Sequence, residues 1–72
     1  MNKRKVRLKN LKPGSFFKYN GTIGFKSEYR TTNGAIEAYC IKSGEMFWGG
    51  VNTPNEQGEL LVTKIKLIEN NV

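Results

Sequence analysis

The chain has 72 residues, of which 38% are hydrophobic, and a formal net charge of +6. This length corresponds to one small domain, whose core would give only a few kcal/mol of net stability, so oligomerisation or a bound partner would be a natural supplement. His and Asp are both absent, which removes the usual general base and the commonest metal ligand. We therefore predict a protein that is not an enzyme, with no catalytic residue, no metal and no cofactor.

Turn signals divide the chain into short segments. Gly follows Pro13, Asn20, Asn33 and Ser43, and Asn-Gly is typical of tight hairpin turns because both residues tolerate positive φ. The segments between the turns are rich in aromatic and β-branched residues that tend to alternate with polar ones, which indicates strands. We predict six strands, near residues 4–9, 15–20, 22–29, 35–42, 45–50 and 59–68.

The alternation also predicts which side chains share a face. In the third strand one face carries Ile23, Phe25 and Tyr29, and the other carries Thr22, Lys26 and Glu28. We place Lys26 and Lys42 on a solvated face, where they balance glutamates. One helical turn at residues 55–58, or a partly helical segment within residues 59–68, stays open. Because so many short strands cannot form two large sheets, we predict an all-β fold, a small antiparallel barrel of five to six strands.

Two stretches of the chain resemble a pattern found in small proteins of tailed bacteriophages and prophages. The first is Leu11-Lys12-Pro13-Gly14-Ser15-Phe16-Phe17, followed by Asn20-Gly21, and the second is Ser43-Gly44-Glu45-Met46-Phe47-Trp48. The resemblance covers roughly residues 6–50 and implies a Src-homology-3-like barrel that acts as a binding module. The chain departs from the pattern at Gly24, where an aromatic residue is commoner, in its basic start, and at residues 52–58, which look like an insertion.

Positive charge is concentrated at the start of the chain. Residues 1–18 carry a charge of +7 and residues 19–72 a balance of −1. We predict a basic flexible N-terminus at residues 1–4 and one barrel domain at residues 5–69, beginning with a basic strand. Alternation with Val6 and Leu8 would set Lys5, Arg7 and Lys9 along one exposed edge, suited to phosphates. The same cations would also suit an acidic protein partner, or serve only to solubilise the chain and guard a sheet edge.

Consecutive aromatic residues are the second candidate feature. In a strand Phe16 and Phe17 point to opposite faces, as do Phe47 and Trp48, so one member of each pair is expected outside the core. An outward ring beside cations would stack on bases or anchor a protein interface, although small barrels also cover such rings with loops. The candidate binding residues are Lys3, Arg4, Lys5, Arg7, Lys9, Lys12, Lys18, Phe16 and Trp48.

These features favour a non-catalytic phage-type module that binds nucleic acid. Two alternatives remain: a phage-encoded inhibitor or adaptor that occludes an acidic host protein, including anti-defence roles, or a module that sequesters a small anionic nucleotide between subunits. Self-association is left open. Cys40 alone cannot form an internal disulfide, and the basic start lacks the apolar stretch of a secretory signal. We therefore expect a cytoplasmic protein, in the host cytoplasm if it is phage-encoded, with no membrane contact.

Overall fold

A computed structural model describes residues 5–66 of the chain. The predicted flexible N-terminus at residues 1–4, and the ends of the predicted last strand and domain, lie outside the described residues. The protein is mostly β, as predicted, with five strands and one short helix. The elements are β1 (Lys5–Arg7), a 3₁₀ turn (Leu8–Asn10), β2 (Phe16–Tyr19), β3 (Thr22–Arg30), β4 (Ile36–Cys40), α1 (Pro54–Glu59) and β5 (Leu61–Ile65).

The five strands form one antiparallel sheet in the order β1-β5-β2-β3-β4. Tight turns join β2 to β3 through Asn20 and Gly21, which both adopt the positive φ expected of this hairpin. Within residues 5–66 the edge strands β1 and β4 do not pair with each other, so the predicted closure into a barrel is not confirmed.

Helix α1 packs against the 3₁₀ turn and β4. It begins after Thr53, whose side chain accepts a hydrogen bond from the Glu56 amide, with proline at the first helical position. Gln57 is fully buried: its Oε1 accepts from the Ile36 amide at 2.8 Å, and its Nε2 donates to the Ile36 carbonyl at 3.0 Å and the Phe47 carbonyl at 2.9 Å. The helical alternative at residues 55–58 is confirmed, and Gln57 of this segment pairs the backbone amide and carbonyl of Ile36 at the start of β4.

One face of the sheet carries the core. Phe17 is fully buried and packs edge-on against Phe47, with ring centroids 4.9 Å apart. The other buried side chains of this cluster are Leu8, Leu11, Ile36, Ala38 and Val62. We call this the inner face of the sheet and the opposite one the outer face.

Lys26 on β3 faces the core and not the solvent, contrary to the prediction. Lys26 is 6% exposed and faces inward with its register partner Ala38, so its placement on a solvated face is wrong. Phe25 pairs with Phe16 and Tyr39 on the outer face. The reason is steric: Gly24 lies opposite Phe17 and leaves room for its ring, which fixes even-numbered positions of this part of β3 as inward.

The predicted strand at residues 45–50 is also wrong. Only an isolated bridge between Tyr39 and Met46 forms there, supported by a hydrogen bond from the Phe47 amide to the Ala38 carbonyl. Gly49 and Gly50 then adopt positive φ, which ends any extended course. Within the part of the chain that the structure describes, no helix is long and apolar enough to cross a membrane.

Candidate nucleic-acid interface

A row of apolar and aromatic side chains crosses the outer face. The strand registers place Ile65 opposite Phe16, Phe16 opposite Phe25, and Phe25 opposite Tyr39, and opposite residues of antiparallel strands share a face. The rings of Phe16 and Phe25 are 5.1 Å apart at their centroids and tilted by 56°. We call Ile65, Phe16, Phe25 and Tyr39 the aromatic row, which spans four strands.

A basic row runs beside the aromatic row. The registers align Lys5, Thr63, Lys18 and Ile23 on the same face, across β1, β5, β2 and β3. Lys5 and Lys18 are exposed, and two strand spacings of about 4.8 Å separate them. Successive residues on one face of a strand lie roughly 7 Å apart, so the basic row follows the aromatic row at that distance.

Tyr39 ends the aromatic row at the β4 edge. Its hydroxyl donates a hydrogen bond to Glu37 Oε1 at 3.1 Å, and this hydrogen bond, with the nearby carboxylate charge, raises the pKa of Tyr39 above its usual value. Tyr39 is 38% exposed.

The predicted row of Lys5, Arg7 and Lys9 along one strand edge does not form. β1 ends at Arg7, because the fully buried Leu8 turns the chain toward the core and its amide donates to the Leu60 carbonyl. Lys9 therefore lies on the 3₁₀ turn.

Arg7 and Lys9 meet at a single carboxylate instead. Glu59, the last residue of α1, contacts Arg7 Nε at 2.6 Å and Lys9 Nζ at 2.7 Å. The hydrogen bond from Lys9 is the main reason that the pKa of Glu59 is lowered, and Arg7 adds to the effect. Two of the predicted phosphate-binding cations thus share one carboxylate of the same molecule.

The remaining predicted residues are spread over the molecule. Phe16 and Phe17 point to opposite faces, as predicted, with Phe17 in the core and Phe16 on the outer face. Lys12 is exposed after the 3₁₀ turn, and Trp48 is half-buried in the irregular segment that precedes α1. Lys3 and Arg4 lie outside the described residues. The structure brings together Lys5, Lys18 and Phe16 on the outer face, which Arg7 shares through its register with Leu61, whereas Lys12 and Trp48 lie outside the five strands.

Sequence reasoning missed the role of Lys26. Its ammonium donates to the carbonyls of Leu8 at 2.9 Å, Lys9 at 3.2 Å and Leu11 at 2.5 Å, which ties the 3₁₀ turn to the sheet. Burial, and then the charge of Arg30, lower the pKa of Lys26. All three ammonium protons have partners, so this lysine is structural. Gly24 faces inward because it lies against Phe17, and Lys26 follows it two residues later on the same face; the alternation of the sequence does not contain this contact.

No family model matches the chain, and neither the search of curated proteins nor the search of solved structures found a match. Among residues 5–66 no three Cys or Glu side chains come together as a metal site would require. The structure defines a small, mostly β protein with an open five-stranded sheet, one face of which carries aromatic and basic residues.

Proposed function

We propose that this protein binds single-stranded nucleic acid on the outer face of its sheet, without a catalytic step. The observation that carries the proposal is the aromatic row of Phe16, Phe25 and Tyr39 beside the basic row that contains Lys5 and Lys18. Bases stack on aromatic rings and phosphates pair with cations, so adjacent rows of the two kinds match the two components of a nucleotide chain.

The aromatic row favours a single strand over a duplex. Bases in a duplex stack on one another and offer only their edges, whereas unpaired bases present a flat face to a protein ring. Each such stack contributes about 1–3 kcal/mol by alanine substitution and does not depend strongly on base identity. We expect little sequence preference from the outer face itself.

We also propose that the protein is a phage-type module of Src-homology-3-like fold. A phage-type binding module with a Src-homology-3-like sheet is supported by the hairpin at Asn20-Gly21, which belongs to the pattern that the chain resembles, and by the antiparallel five-stranded sheet. We propose that it acts in the cytoplasm.

The test is binding of a fluorescent twelve-nucleotide thymidine strand, measured by anisotropy, against a duplex of the same length. We expect the single strand to bind more tightly, with an affinity that falls as salt rises. Phe25→Leu keeps an apolar side chain at a half-buried position but removes the ring, and should weaken binding several-fold. If neither the single strand nor the duplex binds, the proposal is contradicted and the acidic-protein alternative is favoured. An unchanged affinity in a folded Phe25→Leu variant would also contradict the proposal.

A further inference from the structure

β3 carries an irregularity at the end of the aromatic row. Lys26 pairs with Ala38 and Arg30 with Ile36, so four steps along β3 match two steps along β4. The two extra residues lie within residues 27–29, which we call the β3 bulge. On the other side of β3, pairing with the segment before β2 ends at Lys26, whose amide donates to the Ser15 carbonyl. Bulges of this kind expose backbone and redirect side chains, and they are common beside binding sites.

Two concavities flank the β3 bulge. The smaller has a volume of about 270 Å³ and is lined by the rings of Phe25 and Tyr29, with Pro13, Gly14, Ser27 and Glu28. The larger has a volume of about 470 Å³ and contains the cations of the region: Lys9, Lys12, Lys26 and Arg30. Glu28 and Tyr29 line both, so the two concavities adjoin.

Only two of the four cations remain for a ligand. The ammonium of Lys26 is saturated by three carbonyls, and Lys9 pairs with Glu59. Arg30 uses one terminal nitrogen on the Gly34 carbonyl, at 2.8 Å, and a guanidinium has further donors. Lys12 is exposed at the rim. The larger concavity therefore presents Lys12 and Arg30, which suits a phosphate.

The smaller concavity matches one heterocycle. Its volume lies just below the range of about 300–1,000 Å³ that is usual for drug-sized ligands. Tyr29 is 63% exposed and offers a ring face for stacking. The carboxylate of Glu28 only accepts hydrogen bonds and can accept two side by side. Guanine is the base that presents two adjacent donors, N1–H and N2–H, on one edge.

We propose that the two concavities form a single-nucleotide site that selects guanine. The base stacks on Tyr29 with its Watson–Crick edge toward Glu28, and the phosphate contacts Lys12 and Arg30. Phe25 belongs both to the aromatic row and to the smaller concavity, so a strand on the outer face leads into this site. The inference deepens the proposed function and rests on it, because the guanine nucleotide is one unit of the same strand.

The test is a nuclear magnetic resonance titration of the labelled full chain with guanosine, inosine and adenosine 5′-monophosphates. Guanosine monophosphate should shift amides of residues 14 and 25–30 and bind about tenfold more tightly than adenosine monophosphate, in line with one bidentate contact. Inosine monophosphate, which lacks the N2 amine, should fall between the two. Equal binding of all three, or shifts confined to other residues, would overturn the proposal.

Two substitutions at exposed glutamates test the role of Glu28 in selecting guanine. Glu28→Gln should abolish the preference for guanosine over adenosine, because an amide cannot accept two hydrogen bonds side by side. Glu45→Gln makes the same charge change in the loop after β4, lines neither concavity, and should leave the preference intact. A preference that survives in Glu28→Gln would contradict the role of Glu28.

The failures of the two proposals are distinguishable. Thymidine strands that bind while guanosine monophosphate gives no shifts at the β3 bulge would remove the guanine site and keep the outer-face interface. Guanosine monophosphate that binds at the bulge while no strand binds the outer face would remove the proposed function and keep a mononucleotide site.

Discussion

The ring of Phe17 lies directly against Gly24, its partner across the β2–β3 ladder. A Cβ atom at residue 24 would come within 2.5 Å of Phe17 Cζ and 2.9 Å of Cε1. This close approach buries Phe17 completely and keeps Gly24 on the inner face. The neighbouring Phe25 consequently faces outward into the aromatic row, so the arrangement of the candidate interface depends on this one contact.

Gly24→Ala should destabilise the fold. The added methyl group must displace a fully buried ring in a core with little spare room, which costs about 1–3 kcal/mol in the free energy of unfolding. Urea denaturation followed by tryptophan fluorescence measures the loss. Phe17→Leu in the same chain should recover part of it by vacating the space. A Gly24→Ala variant as stable as the native chain would show that Phe17 has room to move.

Lys26→Met should also destabilise the fold, although methionine fits the space of the lysine stem. It leaves the carbonyls of Leu8, Lys9 and Leu11 without their donor, and each carbonyl kept from water costs about 1–3 kcal/mol. Thermal unfolding gives the difference, and Lys42→Met at an exposed position is the control. Equal melting temperatures for Lys26→Met and the native chain would contradict the role of Lys26 in tying the 3₁₀ turn to the sheet.

The difference in the free energy of unfolding between the native chain and Lys26→Met should depend on pH. The folded pKa of Lys26 lies below its unfolded value of about 10.5, so the unfolded chain binds more protons in the window beneath that value. The contribution of Lys26 to the free energy of unfolding therefore rises as pH rises through the folded pKa. The opposite titration of Tyr39 is common to both chains and cancels in the comparison.

Gln57→Leu tests whether a buried amide secures the β4 edge. Leucine has a similar volume, but it leaves the Ile36 amide and the carbonyls of Ile36 and Phe47 unpaired. We expect a loss of about 3 kcal/mol or more in the free energy of unfolding. Hydrogen exchange should show the Ile36 amide losing its protection first. Asn55→Leu, at an exposed position of the same helix, should change stability little.

Glu59→Gln should strengthen nucleic-acid binding at low salt. The substitution releases Arg7 and Lys9 from their shared carboxylate and removes one negative charge beside β1. Anisotropy titrations of the thymidine strand at low and high salt measure the gain, which should shrink as salt rises. Unchanged affinity at low salt would show that the strand does not approach this edge.

The same substitution has a pH signature in stability. The folded pKa of Glu59 lies below its unfolded value, so its ion pairs stabilise the fold above the unfolded pKa of about 4.5 and are lost as pH falls through the folded pKa. The native chain should therefore be more stable than Glu59→Gln at neutral pH, and the difference should disappear in acid.

The sequence predicted what local rules decide. Asn20-Gly21 predicted a hairpin, and the adjacent positions of Phe16 and Phe17 in one strand predicted one inner and one outer ring. It failed where a tertiary contact decides. The phase of β3 follows from the fit of Phe17 against Gly24, and the end of β1 follows from the burial of Leu8, neither of which is visible in alternation alone.

The candidate site was predicted only in part for the same reason. Lys5, Lys18 and Phe16 are outward residues of regular strands, and their strand pattern is enough to find them. Phe25 and Tyr39 join them through cross-strand register, which the sequence does not contain. The pairing of Arg7 and Lys9 with Glu59 joins positions about fifty residues apart, and charge counting along the chain cannot detect it.

The salt dependence of thymidine-strand binding in two lysine variants distinguishes binding on the outer face from binding elsewhere on the protein. Lys18 lies on the outer face, whereas Lys64 is also exposed but shares the register position of the inward Phe17. Lys18→Gln should weaken binding and reduce the slope of log K against log salt by about 0.7, the value for one phosphate contact on a single strand. Lys64→Gln should leave the slope as in the native chain. Equal slopes in all three chains, or a loss in Lys64→Gln alone, would contradict binding on the outer face.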